Sequence, residues 1–118
     1  MKESILSESE MAFAEIVWAN APIPSGELVK LCEKELGWKK STTYTVLRNL
    51  CKAGLFQNEN AVVSIKETKE DYLAKESAQI VNSRFEGSIS KFVTAFTGKR
   101  KLTKKQIQEL KKIIEENE

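Results

Sequence analysis

The apolar residues of this chain recur at helical spacing, in segments that end at a small number of glycines and prolines. Among the 118 residues, proline occurs only at positions 22 and 24, and most of the five glycines fall where a periodic segment breaks. Apolar residues three and four positions apart form one side of an amphipathic helix, and that side needs a surface to pack against. The pattern predicts a mainly α protein with six helices.

Local capping signals define the first two helices. Ser7 is followed three residues later by Glu10, which predicts a capping box at the start of the first helix. The prolines of the segment Pro22–Pro24 favour an extended link to the second helix. Ser25 is predicted to cap that helix, and Gly37 is predicted to end it.

The third predicted helix spans Ser41–Ala53 and has two different sides. Residues at positions i, i+3, i+4 and i+7 form its apolar side: Thr43, Val46, Leu47 and Leu50. No acidic residue occurs from Leu36 to Asn58, whereas this stretch holds four basic residues: Lys39, Lys40, Arg48 and Lys52. A solvated helix usually carries both signs, so the omission favours a face that binds nucleic acid. A basic helix without any partner is the alternative.

A hairpin is predicted directly after this helix. Leu55–Asn58 and Val62–Lys66 have the composition of two short strands, with the turn at Glu59–Asn60. Three helices closed by a hairpin form a winged helix-turn-helix domain, whose last helix enters a DNA groove. The sequence predicts such a domain over residues 1–67.

Residues 68–118 are predicted to form a separate helical dimerisation domain. They contain three amphipathic helices, the last of which begins with a second capping box at Thr103 and Gln106. A segment of this size rarely folds alone without disulfides or metals, so its apolar stripes need a partner. A second copy is the simplest partner, and packing onto residues 1–67 is the alternative. The apolar residues predicted at the dimer interface are Leu73, Ile80, Val81, Phe85, Ile89, Phe92, Val93, Phe96, Ile107, Leu110 and Ile114.

Composition excludes several classes of function. The chain has no histidine, which removes histidine-based catalysis and histidine metal ligation. Cys32 and Cys51 belong to no paired motif, which argues against a metal or redox site and fits a reducing compartment. No apolar run approaches the roughly 18–20 residues that cross a membrane, and the first residues lack a secretory signal. We expect a cytoplasmic protein that is not an enzyme, with no metal, no cofactor and no membrane insertion.

An ordered set of residues along almost the whole chain resembles one known family. The matching positions are Leu6–Glu10, Ile16–Trp18, Ile23, Glu27, Leu28, Trp38, Thr42, Thr45, Leu50, Lys52, Gly54, Thr68, Glu70, Tyr72, Leu73, Gly87, Ser88, Val93, Phe96, Leu102 and Glu109–Lys112. In this order and spacing they resemble the penicillinase-repressor (BlaI/MecI-type) transcriptional regulators.

The resemblance implies a homodimeric winged-helix repressor that binds palindromic double-stranded DNA operators before β-lactamase-type resistance genes. It implies that the helix Ser41–Ala53 lies in the major groove. The family's base- and phosphate-contacting positions fall on Lys39, Lys40, Ser41, Thr42, Tyr44, Thr45, Arg48 and Asn49. It also implies a membrane-bound sensor protease as a further partner, which relieves repression by cleavage within the dimerisation domain.

Three features of this chain differ from the family pattern. The hairpin is shorter than in typical members, and its tip, Glu59–Asn60, carries no basic residue. The family's scissile bond joins asparagine to phenylalanine, and the matching pair here is Ala95–Phe96. The segment Lys99–Lys105 is basic where acidic residues are common in relatives; a solvated linker and a second anion contact are the two interpretations.

A protein-interaction module built on a winged helix, without sequence-specific DNA binding, is the alternative function. A protein-binding face exposes large apolar side chains. Residues 36–58 instead offer lysine, arginine, threonine and serine, which favours DNA.

Overall fold

The computed structural model describes residues 5–118. The prediction that the chain starts without a secretory signal falls partly on residues 1–4, which lie outside the described residues. Over the described residues the chain is mostly helical, which confirms the predicted fold class. The helices are α1 (Glu8–Asn20), α2 (Ser25–Leu36), α3 (Lys40–Lys52), α4 (Lys69–Arg84), α5 (Ile89–Thr97) and α6 (Lys104–Glu116). The strands are β1 (Ile23–Pro24), β2 (Phe56–Glu59) and β3 (Val62–Ile65).

Both predicted capping boxes are confirmed. At the start of α1, the Glu10 backbone N–H donates to Ser7 Oγ at 3.2 Å, and the Ser7 N–H donates to Glu10 Oε1 at 2.9 Å. At the start of α6, the Gln106 N–H donates to Thr103 Oγ1 at 3.1 Å, and the Thr103 N–H donates to Gln106 Oε1 at 2.9 Å. Each box satisfies two backbone donors that a helix start leaves without partners.

The predicted cap at Ser25 is wrong. Pro24 holds the capping position, and Ser25 is the first residue of α2, with its side chain buried. The Ser25 N–H donates to the carbonyl of Ala61 at 2.8 Å, and its Oγ accepts from the hydroxyl of Tyr44 at 3.2 Å. The strand β1 runs directly into α2, so this serine is held by tertiary partners and does not cap its own helix.

The link between α1 and α2 is extended, as predicted, but it also forms a third strand that the sequence did not reveal. Ile23 pairs with Val63 and Pro24 with Val62, so the antiparallel sheet has the order β1-β3-β2. Proline has no backbone N–H and is tolerated in a sheet at an edge, which is where β1 lies. The sheet therefore ties the hairpin back to the link between the first two helices.

The hairpin turn lies one residue later than predicted. Asn60 and Ala61 form it, with φ of 52° and 61°. A two-residue turn with both central residues at positive φ matches the right-handed twist of the strands, and asparagine tolerates this conformation better than glutamate does. The strand boundaries themselves agree with the prediction to within one residue.

An aromatic cluster lies at the centre of the core. Phe13 is fully buried and stacks on Trp38, with ring centroids 5.8 Å apart. Phe56 meets Phe13 edge-on at 6.4 Å and Trp18 at 5.8 Å. Aliphatic residues from α1, α2, α3 and β3 complete the core: Val17, Leu28, Leu47, Leu50 and Val63. Both tryptophans thus pack on the core.

The chain forms two compact units whose boundary falls inside α4, between Glu76 and Ser77. The beginning of α4 belongs to the first unit because Tyr72 is buried there and its hydroxyl accepts from the Leu6 N–H at 2.8 Å. Trp18 Nε1 donates to the carbonyl of Glu67 at 2.9 Å, just before this helix. The first unit has the predicted winged helix-turn-helix arrangement. The functional division into residues 1–67 and 68–118 stays a prediction, as does the dimerisation role of the second part.

We expect Leu47→Ala to lower the free energy of unfolding by about 2–5 kcal/mol, since this side chain is only 2% exposed and truncation leaves a cavity. The neighbouring Arg48→Ala is the matched control on the exposed side of the same helix, with an expected change within about 0.5 kcal/mol. Urea unfolding of both variants measures the difference. Equal losses would contradict the burial pattern of α3.

Candidate nucleic-acid interface

A tight turn between α2 and α3 sets the position of the predicted recognition helix. Gly37 ends α2 with φ +69°, a conformation that strains residues with a side chain. Its N–H donates to the carbonyl of Glu33, and Trp38 follows and stacks on Phe13. The start of α3 is therefore anchored to the core on one side of the turn.

The two sides of α3 differ in burial as the sequence predicted. Thr43, Leu47 and Leu50 are buried, and the hydroxyl of Thr43 donates to the carbonyl of Lys39 at 3.3 Å. That bond gives the one buried hydroxyl of the helix a partner. Because the buried side is held by the core, the opposite side must face away from it.

Seven of the eight predicted DNA-contacting residues are exposed: Lys39, Lys40, Ser41, Thr42, Thr45, Arg48 and Asn49. They lie at the start of α3 and along its outer side. The eighth, Tyr44, is half-buried, and its hydroxyl donates to Ser25 Oγ. Tyr44 therefore joins α3 to the start of α2.

The exposed side of α3 is positively charged and has no internal counter-charge. In the described part of the chain, no carboxylate lies within 4.0 Å of the side-chain nitrogens of Lys39, Lys40, Arg48 or Lys52. Lys39 occupies the capping position of α3 without any side-chain cap, and no acidic residue lies in the first turn. Free backbone N–H groups and the positive end of the helix dipole make this terminus attractive to anions such as phosphate.

The hairpin offers little positive charge beside this surface. Its exposed tip, Asn58–Ala61, contains Glu59 and no basic residue. The Ala61 carbonyl accepts the Ser25 N–H, so the tip is fixed to α2. The predicted shortness of the hairpin corresponds to a turn of two residues.

The two cysteines are packing residues with weakly acidic thiols. Cys32 is buried, and this burial raises the pKa of its thiol. Cys51 is half-buried, and desolvation raises its thiol pKa as well. Among residues 5–118, no group of three or more histidine, cysteine, aspartate or glutamate side chains could hold a metal ion. None of the described helices is long and apolar enough to cross a bilayer.

The residues predicted for dimerisation form apolar surface in the single chain. Ile80, Val81 and Phe85 are half-buried, and the rings of Phe85 and Phe92 meet edge to face with their centroids 5.4 Å apart. The others are exposed: Leu73, Ile89, Phe92, Val93, Phe96, Ile107, Leu110 and Ile114. The predicted set left out Ile113, which is 54% exposed and lies next to Ile114 in α6. Sequence reasoning also missed the cap of α5, where Ser88 Oγ accepts from the Lys91 N–H.

The predicted cleavage-equivalent bond, Ala95–Phe96, lies inside α5. Phe96 is 48% exposed, and the guanidinium carbon of Arg100 lies 5.6 Å from its ring centroid. A helical peptide bond must unfold locally before a protease can seat it in an extended conformation.

Comparison with known proteins identifies relatives over nearly the full chain. A family model described as penicillinase repressor matches residues 6–116. The chain is 25% identical over 116 residues to the penicillinase repressor of Bacillus licheniformis, covering 95% of this chain and 91% of that protein. It is 23% identical over 113 residues to the methicillin resistance regulatory protein MecI of Staphylococcus aureus, covering 92% of each.

The bond between Tyr44 and Ser25 is expected to stabilise the turn that presents α3. Tyr44→Phe and Ser25→Ala should each lower the free energy of unfolding by about 1 kcal/mol, because each leaves a polar partner without its bond. The double variant should lose little more than either one, a coupling of about 0.5–1.5 kcal/mol in urea unfolding. Additive losses would show that the two hydroxyls act separately.

Proposed function

The chain belongs to the penicillinase repressor family of transcriptional regulators, and we propose that it acts as a homodimer that represses transcription by binding a palindromic operator. In this proposal α3 of each copy enters the major groove of double-stranded DNA. As a repressor of bacterial-type genes it would act in the cytoplasm.

The observation that carries the proposal is the outer side of α3. It is exposed, carries no acidic residue and has no carboxylate within 4.0 Å of its cationic groups among the described residues. Its N-terminus is open to an anion. A surface of this kind gains its counter-charge from a polyanion, and DNA supplies one negative charge per phosphate.

The exposed residues divide into two groups by their chemistry. Lys39, Lys40 and the hydroxyls of Ser41 and Thr42 lie where α3 begins and suit phosphate oxygens, which position a helix on the duplex. Further along, Thr45, Arg48 and Asn49 suit base edges: arginine pairs with guanine, asparagine with adenine, and the threonine methyl group contacts thymine. Tyr44 is partly committed to Ser25 and supports the helix from its inner edge.

A second copy is proposed because the C-terminal helices expose apolar stripes in the single chain. Ile89 is 69% exposed and Ile114 is 68% exposed, and α5 and α6 contain no buried residue. Such surface is removed from water when two copies associate, and a twofold dimer reads two half-sites about one DNA turn apart.

The alternative of a protein-interaction module has less support. An interface for a protein partner is centred on exposed large apolar and aromatic side chains. Over residues 36–58, the large apolar side chains are buried or half-buried, and the exposed ones are polar or basic. The surface of α3 is thus better matched to DNA than to a protein.

The expected DNA contacts have distinct signatures. Lys40→Ala should weaken binding to all sequences and make the slope of log affinity against log salt shallower by about one unit, because one phosphate contact is lost. Arg48→Ala should cost about 1–3 kcal/mol of binding free energy and relax the preference at one base pair per half-site. Operator titrations at several salt concentrations measure both effects.

Lys112→Ala is the matched control for these titrations, since it removes one exposed lysine from α6. Its salt slope and sequence preference should equal those of the unaltered chain. If Arg48→Ala left affinity, salt slope and preference unchanged, Arg48 would not lie in the interface.

Release from DNA is proposed to occur without cleavage at Ala95–Phe96. Alanine favours the helix and lacks the polar side chain that a protease reads in the relatives' asparagine. Co-expression with a sensor protease of the kind that the family resemblance implies, followed by mass spectrometry of fragments after induction, should show an intact chain. The variant Ala95→Asn restores the family's pair and should be cut. Cleavage of the unaltered chain at this bond would contradict the proposal.

A further inference from the structure

The charges of α6 are inverted relative to its helix dipole. Lys104 and Lys105 lie in the first turn, where no acidic residue occurs, and Glu115 and Glu116 lie near the last turn, where no basic residue occurs. The N-terminus of a helix carries partial positive charge and the C-terminus partial negative charge, so both placements are unfavourable in an isolated helix. Opposite charge brought to each end from elsewhere would stabilise such an arrangement.

The unfavourable charge extends beyond the helix at its N-terminal end. The basic segment, residues 99–105, contains five cations, and no acidic residue occurs from residue 87 to residue 108. The acidic end, residues 115–118, contains three glutamates. Over the described chain, none of these groups forms an ion pair within 4.0 Å. Arg100 only stacks over Phe96.

An apolar stripe lies between the two charged ends of the same helix. It consists of Ile107, Leu110, Ile113 and Ile114, with exposures from 39% to 68%. No residue of α6 is buried. A second copy of this helix could cover the apolar stripe with its own apolar stripe. It could also place opposite charge beside each charged end.

Only one direction of pairing satisfies the charges. In a parallel pair the two basic segments would lie together at one end and the two acidic ends at the other, so like charges would repel at both. In an antiparallel pair each basic segment lies beside the acidic end of the other copy. A twofold axis forms this contact twice, because each copy contributes the same surface.

We propose that α6 packs antiparallel against α6 of a second copy, with the basic segment of each chain beside the acidic end of the other. This rests on the homodimer proposed above and specifies which helices meet and in which direction. The helix has 13 residues and is about 20 Å long, so alignment near Leu110 brings Lys104 beside the partner's Glu115.

Helical spacing supports this pair. At 100° per residue, Lys104 and Glu115 fall on the same flank of the apolar stripe. In an antiparallel twofold pair the same flank of both helices meets, so these residues face one another. Lys111 lies on the same flank, nearer the middle of the helix.

DNA phosphate is the competing occupant for the basic segment. It would neutralise the cations, but it would repel the acidic end and leave the apolar stripe uncovered. A second copy accounts for all three features of α6, so we favour it.

Charge reversal tests the pairing. Lys104→Glu and Glu115→Lys each replace attraction by repulsion at two symmetric sites, and each should raise the dimer dissociation constant in sedimentation equilibrium about tenfold. The chain with both changes should return to within about threefold of the unaltered value, because the charges are again complementary. Lys112→Glu is the control of equal charge change on the back of α6 and should have little effect.

Loss of helix stability cannot mimic this result. Each reversal places a charge that the helix dipole favours, so helicity by circular dichroism should be maintained or increased while dimerisation weakens. Weak dimerisation without rescue in the double variant, or no change in either single variant, would overturn the antiparallel pair. A loss of DNA affinity for Lys104→Glu with unchanged dimerisation would assign the basic segment to DNA instead.

The unaltered chain separates this inference from the proposed function. A monomer at micromolar concentration would reject the homodimer and the pairing together. A dimer that binds its operator, with reversal variants that behave like it, would reject the antiparallel pairing alone.

Discussion

The packing of α3 on the aromatic core is the contact on which the proposed interface depends. Phe13 stacks on Trp38 at the turn before α3, and Leu47 and Leu50 enter the same core from the helix itself. These contacts fix the rotation of α3 about its own axis. Because that rotation is fixed, every cationic and hydroxyl side chain of the outer side faces away from the core together.

The sheet adds a second constraint at the opposite end of α2. β1 pairs with β3, and the Ser25 N–H donates to the hairpin turn at Ala61. Tyr44 of α3 then donates to Ser25 Oγ. One buried serine thus connects the hairpin, the start of α2 and the side of α3 through two hydrogen bonds.

Unbalanced charge is concentrated in two separate parts of the chain, the stretch around α3 and the two ends of α6. The stretch around α3 lacks acids entirely, and the two ends of α6 carry opposite charge. The net charge of +2 conceals both patterns. In each case the charged side chains form no ion pair inside the described chain. The proposed partners that supply the opposite charge are DNA at α3 and a second copy of the chain at α6.

Local patterns in the sequence determined the helices, the two capping boxes, the end of α2 at Gly37 and the division of α3 into a buried and an exposed side. Each of these depends on residues within a few positions of one another, such as Ser7 and Glu10, so the sequence alone suffices. Only the tertiary structure decided that Pro24 lies in a strand, that Ser25 is a buried bridge and that Tyr44 is partly withdrawn from the surface. These features require partners that lie between 19 and 40 residues away along the chain, such as Ile23 and Val63, and hydropathy periodicity carries no information about which distant segments will meet.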